Sequence, residues 1–194
     1  MFPVNAPNVL TLLRIVAVPV IVVALLDETP HGDTLAAAVF ALAAVTDGLD
    51  GYIARRRQQV TTFGKLMDPL ADKLLIVAAL VALVSLDRLA AWIAMVIIAR
   101  ELAVTGLRSL AAQQGVVISA SWLGKLKTAL QVAAVVALIV WDPTPVGVDL
   151  LVYLMLAVTV ISGADYFFGL RSRIDEHRRE QARSPAAPHP AKGG

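Results

Sequence analysis

The 194-residue chain is 58% hydrophobic and 16% charged, with a mean hydropathy of +0.73, whereas soluble domains are roughly half apolar and a quarter charged. This composition marks an integral membrane protein with little room for a separate soluble domain. The formal charge of +2 and pI near 9.2 arise from basic residues in connections and tail, which suits anionic lipid surfaces and calls for no nucleic acid; with no cysteine, disulfides, thiolate metal sites and cysteine nucleophiles are excluded.

Six apolar segments of bilayer-spanning length follow one another at 9–26, 34–54, 67–86, 89–112, 126–141 and 147–169, predicting an all-α, polytopic membrane bundle of six transmembrane helices. No basic residue precedes the first run and no small-residue cleavage site follows it, so that run is expected to stay as a membrane helix. The first connection carries Asp27, Glu28 and Asp33, and the second Arg55, Arg56, Arg57 and Lys65. The third carries Asp87 and Arg88, the fourth Lys125 and Lys127 with Arg108 nearby, and the fifth Asp142 and Asp149. Basic residues thus fall on alternate sides, and the positive-inside rule puts both termini and the second and fourth connections in the cytoplasm. The expected layout is a membrane domain over 1–170, then a tail over 171–194 that is charged at first and Pro/Ala/Gly-rich later, cytoplasmic and largely disordered.

Within the first segment Asn8, Thr11 and Arg14 recur every three residues and share one side of a helix. An arginine inside an apolar run either serves a polar site in the bundle or snorkels to lipid headgroups, and the sequence alone leaves both open.

The stretch from Asp47 to Asp72 places four aspartates, Asp47, Asp50, Asp68 and Asp72, in apolar surroundings. With a turn at Gly64 between two helical segments, each pair falls on one helix face, and the two faces together make a cluster of four carboxylates. Such a cluster is severely unfavourable without counter-ions. An all-oxygen donor set with no Cys or His points to hard cations, Mg²⁺ or Mn²⁺. Two divalent ions offset four aspartates, and a metal pair about 4 Å apart is a common device for displacement at phosphorus. Gly48 and Gly51 leave room for a diphosphate or for a neighbouring helix backbone, and Ala54 suits the same close approach. Arg55, one turn beyond, either reaches a substrate phosphate or begins the cytoplasmic basic cluster.

A second informative segment runs from Ile98 to Arg108. Arg100 and Arg108 are eight residues apart, within about 80° of each other on a helix. Two guanidiniums facing one cavity suit a phosphate dianion, with Glu101 and Thr105 holding them in place; the alternative is a structural Arg100–Glu101 pair and an Arg108 that snorkels. Lys125 and Lys127 point to opposite sides of a helix, and Lys125 is the one expected to reach the cavity.

The stretch from Asp47 to Asp72 follows D-x-x-D-G-x-x-A-R-x8-G-x-x-x-D-x-x-x-D at every fixed position. It resembles the signature of the CDP-alcohol phosphatidyltransferases. The resemblance covers about 5–141 and implies that Asp47, Asp50, Asp68 and Asp72 hold two divalent ions, with Asp72 as candidate general base. It also implies that Pro7-Asn8-Val9-Leu10-Thr11-Leu12-Leu13-Arg14 helps hold CDP-diacylglycerol, a role we extend to Gly48, Gly51, Ala54, Arg55 and Gly64.

The patterns A-R-E-x-x-V-T-x-x-R and S-W-x-G-K-x-K-T are similar to the branch of that family that makes phosphatidylglycerophosphate, where an Arg, Arg, Lys set, here Arg100, Arg108 and Lys125, binds the phosphate of sn-glycerol 3-phosphate. The implied reaction is phosphatidyl transfer from CDP-diacylglycerol with release of CMP. The resemblance further implies a homodimer among membrane lipids, in a multi-pass cell-membrane setting with the active site near the cytoplasmic face. An inositol phosphate or phosphatidylglycerol acceptor remains an alternative, as does an ion- or proton-coupled transporter, since intramembrane charges also line transport paths.

Overall fold

The computed structural model describes residues 6–27, 31–57, 62–113 and 122–183, with side chains at 9, 11–27, 31–46, 71, 73–113 and 122–169. Among these residues the chain is all-helical, with six helices and no strand: α1 (Ala6–Leu26), α2 (Gly32–Arg57), α3 (Thr62–Ser85), α4 (Ala91–Gln113), α5 (Trp122–Val140) and α6 (Val146–Arg183).

Their packing follows the sizes of the side chains. The buried core is rich in alanine, with Ala24, Ala36, Ala37, Ala43, Ala79, Ala82, Ala94, Ala134 and Ala137 between the helices. Small residues let helix backbones approach closely, as they do in membrane bundles. Phe40, Ile21, Leu80, Leu83, Ile97, Leu138, Ile139 and Met155 fill the remaining volume. α1 packs on α2 and α3, α5 on α6 and α2, and α4 on α6 and α3.

The outer surface carries many large apolar side chains. Leu12, Leu13, Val16, Val23, Leu42, Met95, Leu102, Leu150, Ile161 and Phe168 are all exposed. A soluble protein does not leave so much apolar area in water, whereas a lipid-facing surface requires it. Trp92 at the start of α4, Trp141 just beyond α5 and Trp122 at the start of α5 are exposed as well, at helix ends where indole rings favour a membrane interface. Trp122–Val140 and Val146–Gly169 are each long and apolar enough to cross a membrane.

Three expectations about element ends change. α3 starts at Thr62, so Gly64 lies in its first turn and the connection precedes it; the apolar run used to place the helix start misses this polar first turn. Pro69, which the expected span over 67–86 would put in the first turn, falls inside the helix. The helix expected over 147–169 continues to Arg183, so 171–183 is helical where a largely disordered tail is expected. Arg, Glu, Gln and Ala there are good helix formers, and the helix ends just before Ser184-Pro185.

The α3–α4 connection is fixed by its backbone. Asp87 has φ 57°, its N–H donates to Val84 O (3.1 Å), and the Arg88 N–H donates to Leu83 O (3.0 Å). These are the two bonds of a Schellman cap, with Asp87 in the left-handed position that glycine usually takes. Arg88 then spans three elements: Nη2 meets Asp33 Oδ2 (2.8 Å) and Asp142 Oδ2 (3.0 Å), and Nη1 donates to the Ile139 carbonyl (3.1 Å). The start of α2, the end of α5 and the α3–α4 turn are tied together there.

Candidate active site

A cavity of about 800 Å³ is walled by α2, α3, α4, α5 and α6, through residues that include Lys73, Arg100, Glu101, Arg108, Lys125, Lys127, Ser162 and Tyr166. Arg100 and Arg108 lie two turns apart on α4 and both line it, as does Lys125 near the start of α5. The three expected phosphate ligands are therefore brought to one space.

The centre of its charge is Glu101, which is 2% exposed. Lys73 Nζ donates to Glu101 Oε2, Lys127 Nζ to Oε1, and Arg100 Nη1 to Oε1 at 3.2 Å. One carboxylate thus faces cations from α3, α4 and α5. A buried glutamate is sustained only by such pairing, and it in turn allows Lys127, 4% exposed, to stay in the interior. Lys127 lines the cavity together with Lys125, although only one of the two lysines is expected to reach it. A lysine stem is long enough to curl around its helix toward a buried acid. Lys73, on α3, is likewise engaged with Glu101.

Arg100 pairs with Glu101 and still lines the cavity. Its Nη2 donates to Ser162 Oγ (2.9 Å), and its Nε–H is buried without an acceptor among the described residues. Arg108 is exposed and sits 5.7 Å from the centroid of the Tyr166 ring, a cation–π distance. Among the described lining residues five cations, Lys73, Arg100, Arg108, Lys125 and Lys127, face the single carboxylate of Glu101, a formal surplus of four positive charges. Such a space favours an anion.

Deeper in the bundle an inner chamber of about 170 Å³ shares Lys73, Glu101 and Lys127 with the larger cavity and adds Arg14, Phe40 and Gln131. Arg14 is 5% exposed and Thr11 is buried beside it on the inner face of α1. Arg14 therefore does not snorkel to the lipid surface. Asp47, Asp50, Asp68 and Asp72 lie in helical backbone of α2 and α3, as do Gly48, Gly51, Ala54, Arg55 and Gly64, and Asn8 lies in α1; their side chains and surroundings fall outside the described residues. Ala44 and Val45, one turn before Asp47, and Lys73, next to Asp72, line the cavity, so the cavity adjoins both aspartate-bearing segments. An all-carboxylate donor set suits a hard divalent cation and no softer metal.

Sequence reasoning missed Lys127, Lys73, Ser162 and Tyr166 as parts of this cavity. Ser162 and Tyr166 sit in an apolar segment with no motif around them, and only the packing of α6 on α4 brings them to the arginines.

A helical bundle with an apolar exterior and an interior cavity whose described residues carry surplus positive charge is a membrane protein built to handle an anionic substrate. Residues 4–163 match the CDP-alcohol phosphatidyltransferase family, and the chain belongs to that family. It is 42% identical over 181 residues to the CDP-diacylglycerol–glycerol-3-phosphate 3-phosphatidyltransferase of Bacillus subtilis, covering 84% of this chain and 93% of that protein. It is 43% identical over 167 residues to a probable phosphatidylglycerophosphate synthase of Mycobacterium tuberculosis, covering 84% of this chain and 79% of that protein. The enzyme of Sodalis glossinidius named like that of Bacillus is 38% identical over 182 residues, covering 89% of this chain and 98% of its own length.

Proposed function

We propose that this chain is a CDP-diacylglycerol–glycerol-3-phosphate 3-phosphatidyltransferase: it transfers a phosphatidyl group from CDP-diacylglycerol to sn-glycerol 3-phosphate, giving phosphatidylglycerophosphate and CMP. The observation that carries the acceptor assignment is the cavity in which Arg100, Arg108 and Lys125 accompany a Glu101 already engaged by Lys73, Lys127 and Arg100. A neutral alcohol acceptor would leave those cations uncompensated, whereas a phosphate dianion offsets them.

In the reaction the 1-hydroxyl oxygen of the acceptor bonds to the β-phosphorus of CDP-diacylglycerol, the bond from that phosphorus to the CMP oxygen breaks, and the hydroxyl proton passes to a base, for which we propose Asp72. Arg100, Arg108 and Lys125 hold the acceptor phosphate and so orient its hydroxyl. Thr11 and Arg14, buried on α1, together with Asn8, Gly48, Gly51, Ala54, Arg55 and Gly64, form the side we assign to CDP-diacylglycerol. Asp47, Asp50, Asp68 and Asp72 would hold two divalent ions, Mg²⁺ or Mn²⁺. Bound there, the ions would neutralise the diphosphate and the charge that develops on the departing CMP.

We further propose that all six helices span the membrane with both termini cytoplasmic, which places the aspartates near the cytoplasmic face, and that the protein works as a homodimer. The alternation of acidic and basic connections and the exposed tryptophans at helix ends support the spans and their orientation.

The test is CMP release by the purified protein with CDP-diacylglycerol, comparing glycerol 3-phosphate, inositol 1-phosphate, serine and phosphatidylglycerol, with Mg²⁺, Mn²⁺ or EDTA. Release is expected with glycerol 3-phosphate alone, dependent on metal and abolished in Asp68→Asn. Arg108→Glu should raise the KM for glycerol 3-phosphate by at least about tenfold, the scale of one lost charge-assisted contact, and leave that for CDP-diacylglycerol within twofold. Equal effects on both substrates would remove Arg108 from the acceptor pocket.

A further inference from the structure

α6 enters the site through one short stretch. Ser162 is 2% exposed, and its hydroxyl hydrogen is committed to the Thr159 carbonyl (3.0 Å). A lone pair of the same oxygen accepts from Arg100 Nη2 at 2.9 Å, so the serine is locked as an acceptor facing α4. The next residue, Gly163, lies under the Arg100 stem, and a Cβ there would stand 3.1 Å from Arg100 Cγ. That is tighter than ordinary van der Waals contact, so a side chain there requires the arginine stem to shift by a few tenths of an ångström. One turn further on, the Tyr166 ring lies 5.7 Å from the Arg108 guanidinium carbon. Positions 162, 163 and 166 share one side of a helix, and that side meets both arginines of the anion cavity.

These contacts fix Arg100 and Arg108 without consuming their capacity to bind. Arg100 gives Nη1 to Glu101 and Nη2 to Ser162, which leaves its buried Nε–H free of any acceptor among the described residues. A guanidinium presents five donors in a rigid fork, so two fixed bonds set its plane while the second hydrogens of Nη1 and Nη2 stay available to an oxyanion. Arg108 is held through its face, and all its donors remain in the plane.

We infer that Ser162, Gly163 and Tyr166 are positioning residues of α6 that hold Arg100 and Arg108 in register to grip the acceptor's phosphate, and so set acceptor affinity. The inference rests on the acceptor reading given above. Preorganised donors lose less entropy on binding, so the effect falls on KM for the phosphorylated acceptor and spares both kcat and KM for the nucleotide-lipid.

Steady-state kinetics on the purified full-length chain, varying glycerol 3-phosphate and CDP-diacylglycerol separately, test it. Ser162→Ala is expected to raise KM for glycerol 3-phosphate about tenfold, as for loss of a hydrogen bond to a charged group, and Gly163→Ala several-fold. Tyr166→Leu should raise it about threefold while Tyr166→Phe, which keeps the ring, restores it. In an Arg100→Ala background Ser162→Ala should add nothing, because its action passes through the arginine. If Arg100→Ala raises that KM but none of the α6 variants does, or if Ser162→Ala and Arg100→Ala are additive, the positioning role is wrong and the acceptor pocket stands. If Arg100→Ala leaves KM for glycerol 3-phosphate unchanged, the pocket assignment itself fails. Should Tyr166→Leu not fold, Ser162→Ala and its double mutant decide the matter.

Discussion

Two charge clusters sit along α4, and they are built on opposite principles. Just before the helix, Arg88 is surrounded by two carboxylates and a carbonyl, from Asp33, Asp142 and Ile139. About 15 Å further along, ten residues into the helix, Glu101 is a single carboxylate engaged by Lys73, Arg100 and Lys127 in a cavity that also holds Arg108 and Lys125. In the first cluster the acids outnumber the cation, although the buried Arg88 Nε–H, like that of Arg100, has no acceptor among the described residues. In the second the described cations outnumber the acid. A cation whose charge its neighbouring acids offset is a structural tie, whereas a surplus of cations facing a cavity is arranged for a counter-charge that the described residues do not supply.

The largest effect that can break this comparison lies at Glu101. Glu101→Gln leaves the buried Lys127 ammonium without its carboxylate, and removal of one partner from a buried pair costs about 3–5 kcal/mol. Thermal unfolding in detergent should show a large loss of stability, with acceptor binding weakened because Lys73, Arg100 and Lys127 lose their common anchor. A variant with wild-type stability and KM would mean that the cations do not depend on Glu101, and the contrast between the clusters would collapse.

The two clusters also differ in how far they could be read from sequence. Arg100 and Arg108 are related by helical periodicity alone, so their shared cavity follows from an eight-residue spacing. The pairing of Lys127 with Glu101 joins α5 to α4 over 26 positions, and no local pattern announces it; the period of the helix even assigns Lys125 and Lys127 to opposite sides. Ser162 and Tyr166 are further removed, because an isolated serine and tyrosine in an apolar helix carry no signal until α6 is packed on α4. Element number was legible because apolar runs have bilayer length, whereas the starts and ends of α3 and α6 were not, because polar turns and charged helix formers extend those helices beyond their apolar parts. The Arg88 tie depends on residues from three connections, which sequence distance hides entirely.

A smaller effect sharpens the same contrast from the structural side. Arg88→Met removes a hydrogen bond to a carbonyl and two ion pairs whose acids are partly exposed. Exposed pairs contribute little each, so the expected loss is about 1–2 kcal/mol, with KM for both substrates within twofold of wild type. A selective rise in the KM for glycerol 3-phosphate would make Arg88 part of the substrate machinery and erase the distinction. The hydrogen bond to Asp33, helped by Asp142 and opposed by burial, raises the Arg88 pKa above its ordinary value. A cation with a raised pKa stabilises the fold below its ordinary range and ceases to do so only as pH rises through the raised value. The stability difference between wild type and Arg88→Met should therefore be flat over about pH 6 to 10.

The smallest predicted effect tests whether that tie is made by charge alone or also by the backbone that presents Arg88. Asp87 occupies the left-handed position of the cap at φ 57°, where a Cβ costs about 1–2 kcal/mol and aspartate tolerates the strain better than most residues. Asp87→Gly relieves the strain and should stabilise the protein by up to about 1 kcal/mol, and Asp87→Val should destabilise it by about 1–2 kcal/mol. Both are measured by unfolding in detergent, and neither should alter KM. If Asp87→Gly instead lowers stability, the carboxylate itself contributes, either to the cap or to the field around Arg88. The acidic side of the tie would then include a third residue. If Asp87→Val has no effect, the two bonds to Val84 and Leu83 do not determine where Arg88 sits, and its side-chain partners alone hold that end of the bundle.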